Sequence, residues 1–197
     1  MSLKKTVFIV PGYRHTPKQK AYQAIAVMLK NEGYEPILVT IPWKESTISE
    51  NTKLFLSQFK KIQRKKKYIL GFSFGAMIAF LAATKVEVEG LILCSLSPYF
   101  QEDLPKVRKN LLSPIQKERY EDFSTLRCAA LAKQIKAKQV LMVYGSKEAR
   151  PLKKRVNTAF TQITKKKKYL MSIKEADHTL GDKRYLNTLH QIAQTLN

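Results

Sequence analysis

Cysteine is scarce in this chain of 197 residues: there are two, Cys94 and Cys128, too few for a disulfide framework. Cys94 sits inside an apolar run and reads as a small buried hydrophobe. No apolar stretch approaches the roughly 18 residues of a membrane-spanning helix. The one imitation of a leader, Lys4-Lys5 followed by Thr6-Val7-Phe8-Ile9-Val10, is cut short by Pro11-Gly12. A cytoplasmic protein without a membrane partner is therefore the expectation. Metal-ligand spacings, a phosphate-cradling glycine loop and a dinucleotide fingerprint are all missing, so no metal and no cofactor is expected.

Acidic residues are few as well, 15 against 36 lysines and arginines, which leaves a net charge of +21. Such a field attracts nucleic acid, anionic membrane surfaces or acidic small molecules. The lysines are spread along the chain, with short clusters at Lys65-Lys66-Lys67 and Lys165-Lys166-Lys167-Lys168, each just ahead of a predicted strand. A solvated lysine-rich surface and a functional anion-attracting face both fit that distribution. No RNA- or DNA-binding motif appears, and aromatic residues do not interleave with the lysine clusters. Nucleic acid is not the expected partner.

What is present reads as a globular chain: 44% hydrophobic residues and 26% charged, enough for one domain over residues 1–197. Short continuous apolar runs at Thr6–Val10, Glu35–Ile41, Lys67–Leu70, Val88–Leu96, Gln139–Tyr144 and Tyr169–Ile173 predict buried strands. Helical spacing recurs between them, as in Ala21, Ala24, Ile25, Met28 and Leu29. Alternating strand and helix predicts a parallel sheet with helices on both faces. From Ser97 to Lys138 no strand is visible; helix-like runs lie at Pro114–Phe123 and around Thr125–Ile135.

The chain is organised around Gly71-Phe72-Ser73-Phe74-Gly75. It follows a strand-like run and opens the apolar, alanine-rich run Ala76–Ala83, so G-x-S-x-G falls on a sharp strand-to-helix turn that lifts a serine hydroxyl above the sheet. Glycines flank the serine because side chains there would collide in so tight a turn. A serine hydroxyl needs a base. Of three histidines, His178 follows the last strand and lies at the same carboxyl-terminal edge as Ser73, where reactive groups collect in open α/β sheets. His15, after the first strand, lies at that edge too, whereas His190 falls inside the terminal helix as a surface or packing residue. Glu148, after the fifth strand, is the carboxylate that reaches the edge to orient an imidazole. Asp177 is adjacent to His178 in sequence and is assigned to shaping the loop.

With these residues the chain resembles the α/β-hydrolase family along nearly its whole length. The elbow Gly71–Gly75, the acid loop Gly145-Ser146-Lys147-Glu148 and the histidine loop Ala176-Asp177-His178-Thr179 stand in that family's order. The resemblance implies a three-layer α/β/α sandwich of about six mostly parallel strands, with residues 97–138 as a short helical cap. It implies Ser73 as nucleophile, His178 as base and acid, and Glu148 as orienting acid, where the family's usual residue is aspartate. It places the oxyanion hole at the backbone N–H groups of Phe74 and Tyr13, with Gly12 allowing close approach. Arg14 and His15 line the entrance, bind an anionic group of the substrate, or stabilise the loop. Tyr99, Phe100, Leu104, Leu111, Leu112, Tyr120 and Phe123 supply apolar surface for an acyl or aryl group, or simply core. The expected activity is hydrolysis of a small carboxylic ester, or of a thioester with a phosphorylated, anionic carrier. A peptidase with the same residues, and a non-catalytic protein binding nucleic acid or acidic partners on its basic surface, remain open from sequence.

Overall fold

The computed structural model describes residues 5–64, 66–106 and 114–196. Six strands form one sheet in the order β2-β1-β3-β4-β5-β6, with β1 at Lys5–Val10, β2 at Tyr34–Leu38, β3 at Lys66–Phe72, β4 at Val88–Cys94, β5 at Ala137–Gly145 and β6 at Lys168–Ile173. Every neighbouring pair is parallel. The helices are α1 (Lys20–Asn31), α2 (Ile48–Lys61), α3 (Phe74–Ala83), α4 (Pro114–Thr125), α5 (Cys128–Lys133), α6 (Arg150–Gln162) and α7 (Lys183–Thr195), with a 3-10 turn at Gln101–Lys106.

Period-two alternation along the strands sorts the core into two halves. Phe8, Val10, Ile69, Leu91, Leu93, Val140 and Met142 face α2, α3 and α6. Val7, Ile9, Tyr68, Leu70, Ile92, Leu141 and Val143 face α1 and α7. Helix α3 has every residue from Gly75 to Ala83 buried, as its alanine-rich, unstriped sequence predicts. Helix α2 starts at a reciprocal capping box, in which Thr47 accepts from the Glu50 N–H and Glu50 accepts from the Thr47 N–H.

Strand β2 is shorter than its apolar run. The chain leaves this edge of the sheet after Leu38 and folds inward, burying Val39, Ile41 and Trp43 against the α2–α3 side. Between β4 and β5 the chain makes the 3-10 turn, α4 and α5. A buried ion pair pins that turn to α6: Asp103 accepts from Arg155 Nε at 2.8 Å and Nη2 at 2.7 Å, and from the Phe100 N–H at 3.1 Å. The parallel order sends the loops after all six strands to one edge. Arg14, Glu45, Ser73, Ser95 and Glu175 adopt positive φ there. Strain of this kind collects where side chains must be aimed rather than packed.

Candidate active site

Ser73 stands between the end of β3 and the start of α3 with φ 58° and ψ −119°. Its backbone is held on both sides: its N–H donates to Cys94 O at 2.8 Å, and its carbonyl accepts from Ala76 at 3.0 Å. A Cβ at Gly75 would lie 2.3 Å from Val10 O, and one at Gly71 would lie 2.3 Å from Gly75 O. The turn closes only without those side chains.

The loop after β6 brings His178 Nε2 to 3.1 Å from Ser73 Oγ, with its ring 4.9 Å from that of Phe72. His178 Nδ1 lies 3.6 Å from Glu148 Oε2. Glu148 is 4% exposed, and its other oxygen, Oε1, accepts from Ser95 Oγ at 2.5 Å and from the Gly145 N–H at 3.1 Å. Because Ser95 gives its single proton to the carboxylate, Tyr185, 2.6 Å away, must donate to Ser95. Burial, and after it the neighbouring Cys94 and Glu148, pushes the Tyr185 phenol well above its ordinary value, so it stays a donor. Among the described residues Glu148 Oε2 has no hydrogen-bond partner, and it faces the imidazole. A buried carboxylate oxygen without a donor is costly. A small inward movement of Nδ1–H would complete it, the kind of tightening expected when substrate binds.

The acid and histidine loops are fastened to each other. Ser146 N–H donates to Ile173 O and Lys147 N–H to Ala176 O, each at 2.9 Å, and Glu175 N–H donates to Ser146 Oγ at 2.8 Å. Lys147 and Glu175 form an ion pair at 2.6 Å. A Cβ on Gly145 would meet Ala176 O at 2.3 Å, so this contact too requires glycine.

On the other side of Ser73 the loop after β1 is set by Tyr22. Its hydroxyl accepts from the Gly12 N–H at 2.8 Å and lies 2.9 Å from His15 Nδ1. Burial raises the Tyr22 phenol, so the hydroxyl keeps its proton. Burial, and then nearby His178, holds His15 below the usual imidazole range. Tyr13 packs between Trp43 at 5.7 Å and Phe74 at 5.4 Å, with the exposed Arg14 guanidinium 5.2 Å from its ring. The Phe74 N–H heads α3 and has no acceptor within the helix.

A cavity of about 340 Å³ opens beside Phe74 and Tyr13, lined also by Tyr99, Leu104, Gln116, Arg119, Tyr120 and Phe123. Phe100, expected at the substrate, is not part of it. It is fully buried, packed 5.5 Å from Phe80 and beneath Arg155, because the Asp103 bond to its N–H turns it into the core. Leu111 and Leu112 lie outside the described residues. His190 is exposed and paired with Glu32 at 2.8 Å.

Sequence reasoning missed four residues. Ser95 and Tyr185 support the carboxylate, and Ser97 Oγ lies 3.1 Å from Ser73 Oγ. Arg119 of α4 donates to Tyr13 Oη at 2.7 Å, to Ser46 O at 2.9 Å and to Trp43 O. Ser95 and Ser97, just after β4 beside the elbow strand, were the available signal. Tyr185 looks like any core tyrosine of an amphipathic helix. Among the described residues no cluster of three or more histidines, cysteines or carboxylates is placed to hold a metal, and no helix is long and apolar enough to cross a membrane.

No family model and no curated protein sequence matches the chain. Solved structures do. Est1E from Butyrivibrio proteoclasticus superposes with a TM-score of 0.82 at 16% identity, covering 99% of this chain and 87% of its own, and a second structure of it holds ferulic acid. A monoacylglycerol lipase of Paleococcus ferrophilus gives 0.76 at 16% identity, covering 98% and 96%. Mouse alpha/beta hydrolase domain-containing protein 10 gives 0.75 at 17% identity, covering 100% and 91%. The chain has the α/β-hydrolase fold. Its six parallel strands carry an elbow serine, a histidine and a carboxylate at one edge.

Proposed function

We propose that the protein is a serine hydrolase that cleaves a carboxylic ester through an acyl-enzyme. The observation that carries this is the line of contacts from Ser73 Oγ to His178 Nε2 at 3.1 Å and from His178 Nδ1 to Glu148 Oε2 at 3.6 Å. In this reading Ser73 Oγ attacks the carbonyl carbon while its proton passes to His178 Nε2. Ser97 Oγ lies 3.1 Å from Ser73 Oγ, and with Ser97 as the donor the serine proton is left for the imidazole. Glu148 holds the proton on Nδ1 and stabilises the imidazolium; the Ser95–Tyr185 hydroxyls brace the carboxylate from its far side. The N–H groups of Phe74 and Tyr13 receive the oxyanion. The bond to the alkoxy oxygen then breaks, and the leaving alkoxide takes the proton from His178. Water, deprotonated by the same imidazole, attacks the acyl carbon; the bond to Ser73 Oγ breaks, Oγ takes the proton back from His178 Nε2, and the acid leaves.

The similar folds that are named as lipase and hydrolase support hydrolysis, and ferulic acid, a carboxylic acid bound to one of them, favours a carboxylic ester. A thioester of an anionic carrier is the second substrate class, favoured by the net charge of +21. The chain works as one domain with α4 and α5 as a short cap, in a reducing compartment suited to its two buried, unpaired cysteines. Labelling with a fluorophosphonate probe, read by mass spectrometry, tests the proposal. Modification of Ser73 in the wild type and none in Ser73→Ala is the expected result; a folded wild type that does not label would overturn it.

A further inference from the structure

The two oxyanion donors of the proposed reaction have unequal supports. Phe74 is carried by the head of α3, a helix buried from Gly75 to Ala83. Tyr13 rides in a turn, where the Gly12 carbonyl accepts from the His15 N–H at 3.0 Å and Arg14 has φ 59°. That carbonyl shares a peptide plane with the Tyr13 N–H, which therefore points the opposite way, out of the turn. Among the described residues the Tyr13 N–H meets no acceptor. The near end of the turn is held by Tyr22, through the Gly12 N–H. Beyond Gly12 the turn is held by the side chain of Tyr13 itself.

That side chain is held in turn by Arg119 of α4. Arg119 Nη1 donates to Tyr13 Oη at 2.7 Å, Nε donates to Ser46 O at 2.9 Å, and Nη2 donates to Trp43 O. The guanidinium carbon lies 5.0 Å from the centre of the Tyr13 ring. A planar fork of donors fixes three oxygens in set directions, which a single point of charge does not do. Burial would raise the Tyr13 phenol, but Arg119 and Arg14 outweigh it and hold the group below its ordinary value. The other end of the clamp stands on firm ground. Asn51 Nδ2 donates to Ser46 Oγ at 3.0 Å, and Thr47 and Glu50 form the capping box of α2. Asp122, one turn along α4 from Arg119, accepts from the Ser49 N–H at 3.0 Å.

We propose that Arg119 is a positioning residue: through it, helix α4 holds Tyr13 so that its N–H receives the oxyanion beside that of Phe74. This rests on the hydrolase reading above and gives the segment after β4 a part in the rate. An oxyanion donor acts at the place where charge develops, so a small displacement of the donor is costly.

Hydrolysis of 4-nitrophenyl acetate, whose two-carbon acyl group makes few contacts of its own, tests the inference. In Arg119→Met, kcat should fall about ten- to hundredfold, with KM within about twofold of the wild type. Tyr13→Phe keeps the ring and loses the hydroxyl, and should lose roughly three- to tenfold in kcat. The double variant should be no slower than Arg119→Met alone, because both changes cut one tie. Losses that multiply in the double variant, a full kcat in Tyr13→Phe, or a change confined to KM would overturn the proposal. If circular dichroism shows Arg119→Met unfolded, Arg119→Lys replaces it. Its kcat should fall between those of Arg119→Met and the wild type, and a wild-type kcat would count against the clamp. The rate at which a fluorophosphonate modifies Ser73 separates this inference from the hydrolase reading. The phosphoryl oxygen needs the same donors, so Arg119→Met should label about tenfold more slowly. Equal labelling rates would remove the role of Arg119 and keep the hydrolase. A folded wild type that neither labels nor cleaves would remove both.

Discussion

Two carboxylates of this protein, the buried Glu148 and the part-buried Asp103, have opposite surroundings. Asp103 meets both Nε and Nη2 of Arg155, a planar two-point pairing that satisfies its charge and locks the 3-10 turn against α6. Glu148 is buried more deeply, yet receives no arginine or lysine; one oxygen is held by a hydroxyl and a backbone N–H, and the other is left facing an imidazole. A carboxylate neutralised by a guanidinium has nothing left to give. A carboxylate supported only by neutral donors keeps its field for whatever cation forms beside it, and in the proposed reaction that cation is His178. Both groups are carboxylates turned away from solvent, and beyond the depth of burial it is the partner that differs.

The comparison can be broken first at Glu148. Glu148→Gln keeps the shape and removes the charge, so kcat for an activated ester should fall by about 10⁴ while the urea midpoint moves little. A comparable loss of stability with modest loss of rate would reverse the roles assigned to the two carboxylates. Arg155→Met leaves Asp103 buried and unpaired, and should cost about 3–5 kcal/mol of stability in urea titration, with kcat unchanged well below the melting temperature. Ser95→Ala removes one hydroxyl donor to a charged group, worth about 1.5–3 kcal/mol. It should lower kcat roughly tenfold, and unchanged rates would show that Gly145 alone positions the acid.

The smallest effect belongs to His15, a third buried polar pairing. Its imidazole is held below the free value of about 6.5, chiefly by burial, so the unfolded chain binds the proton more readily. The stability contributed is complete above the unfolded value and is lost as pH falls through the lower, folded one. His15→Gln should flatten that decline, measured as urea midpoints at pH 7 and pH 5. Equal slopes in the two proteins would count against it.

The elbow was legible because one short stretch carries its whole signal: apolar strand, two spaced glycines, apolar helix. His178 and Glu148 were legible because parallel strands send their following loops to one edge, so position along the chain implies position in space. Tyr99 and Phe100 could not be told apart in the sequence because adjacent residues face opposite ways: Tyr99 lines the cavity, and Phe100, its N–H held by Asp103, is buried in the core. Nothing local could announce Tyr185, whose partner Ser95 lies 90 residues away. The end of β2 was overextended because Val39 and Ile41 are apolar for the sake of the inward turn, not of the sheet.

The fastening of the acid loop to the histidine loop has a mechanical consequence. Through Ser146, Lys147 and Glu175 the two loops form a single stiff piece, so Glu148 and His178 travel together when β5 and β6 flex. Ser73 rides on a different piece, braced between β3, β4 and α3. The joint between the two pieces is the gap between Ser73 Oγ and His178 Nε2. Relative motion of the two pieces opens and closes that gap, and in the proposed reaction it is there that the serine proton crosses.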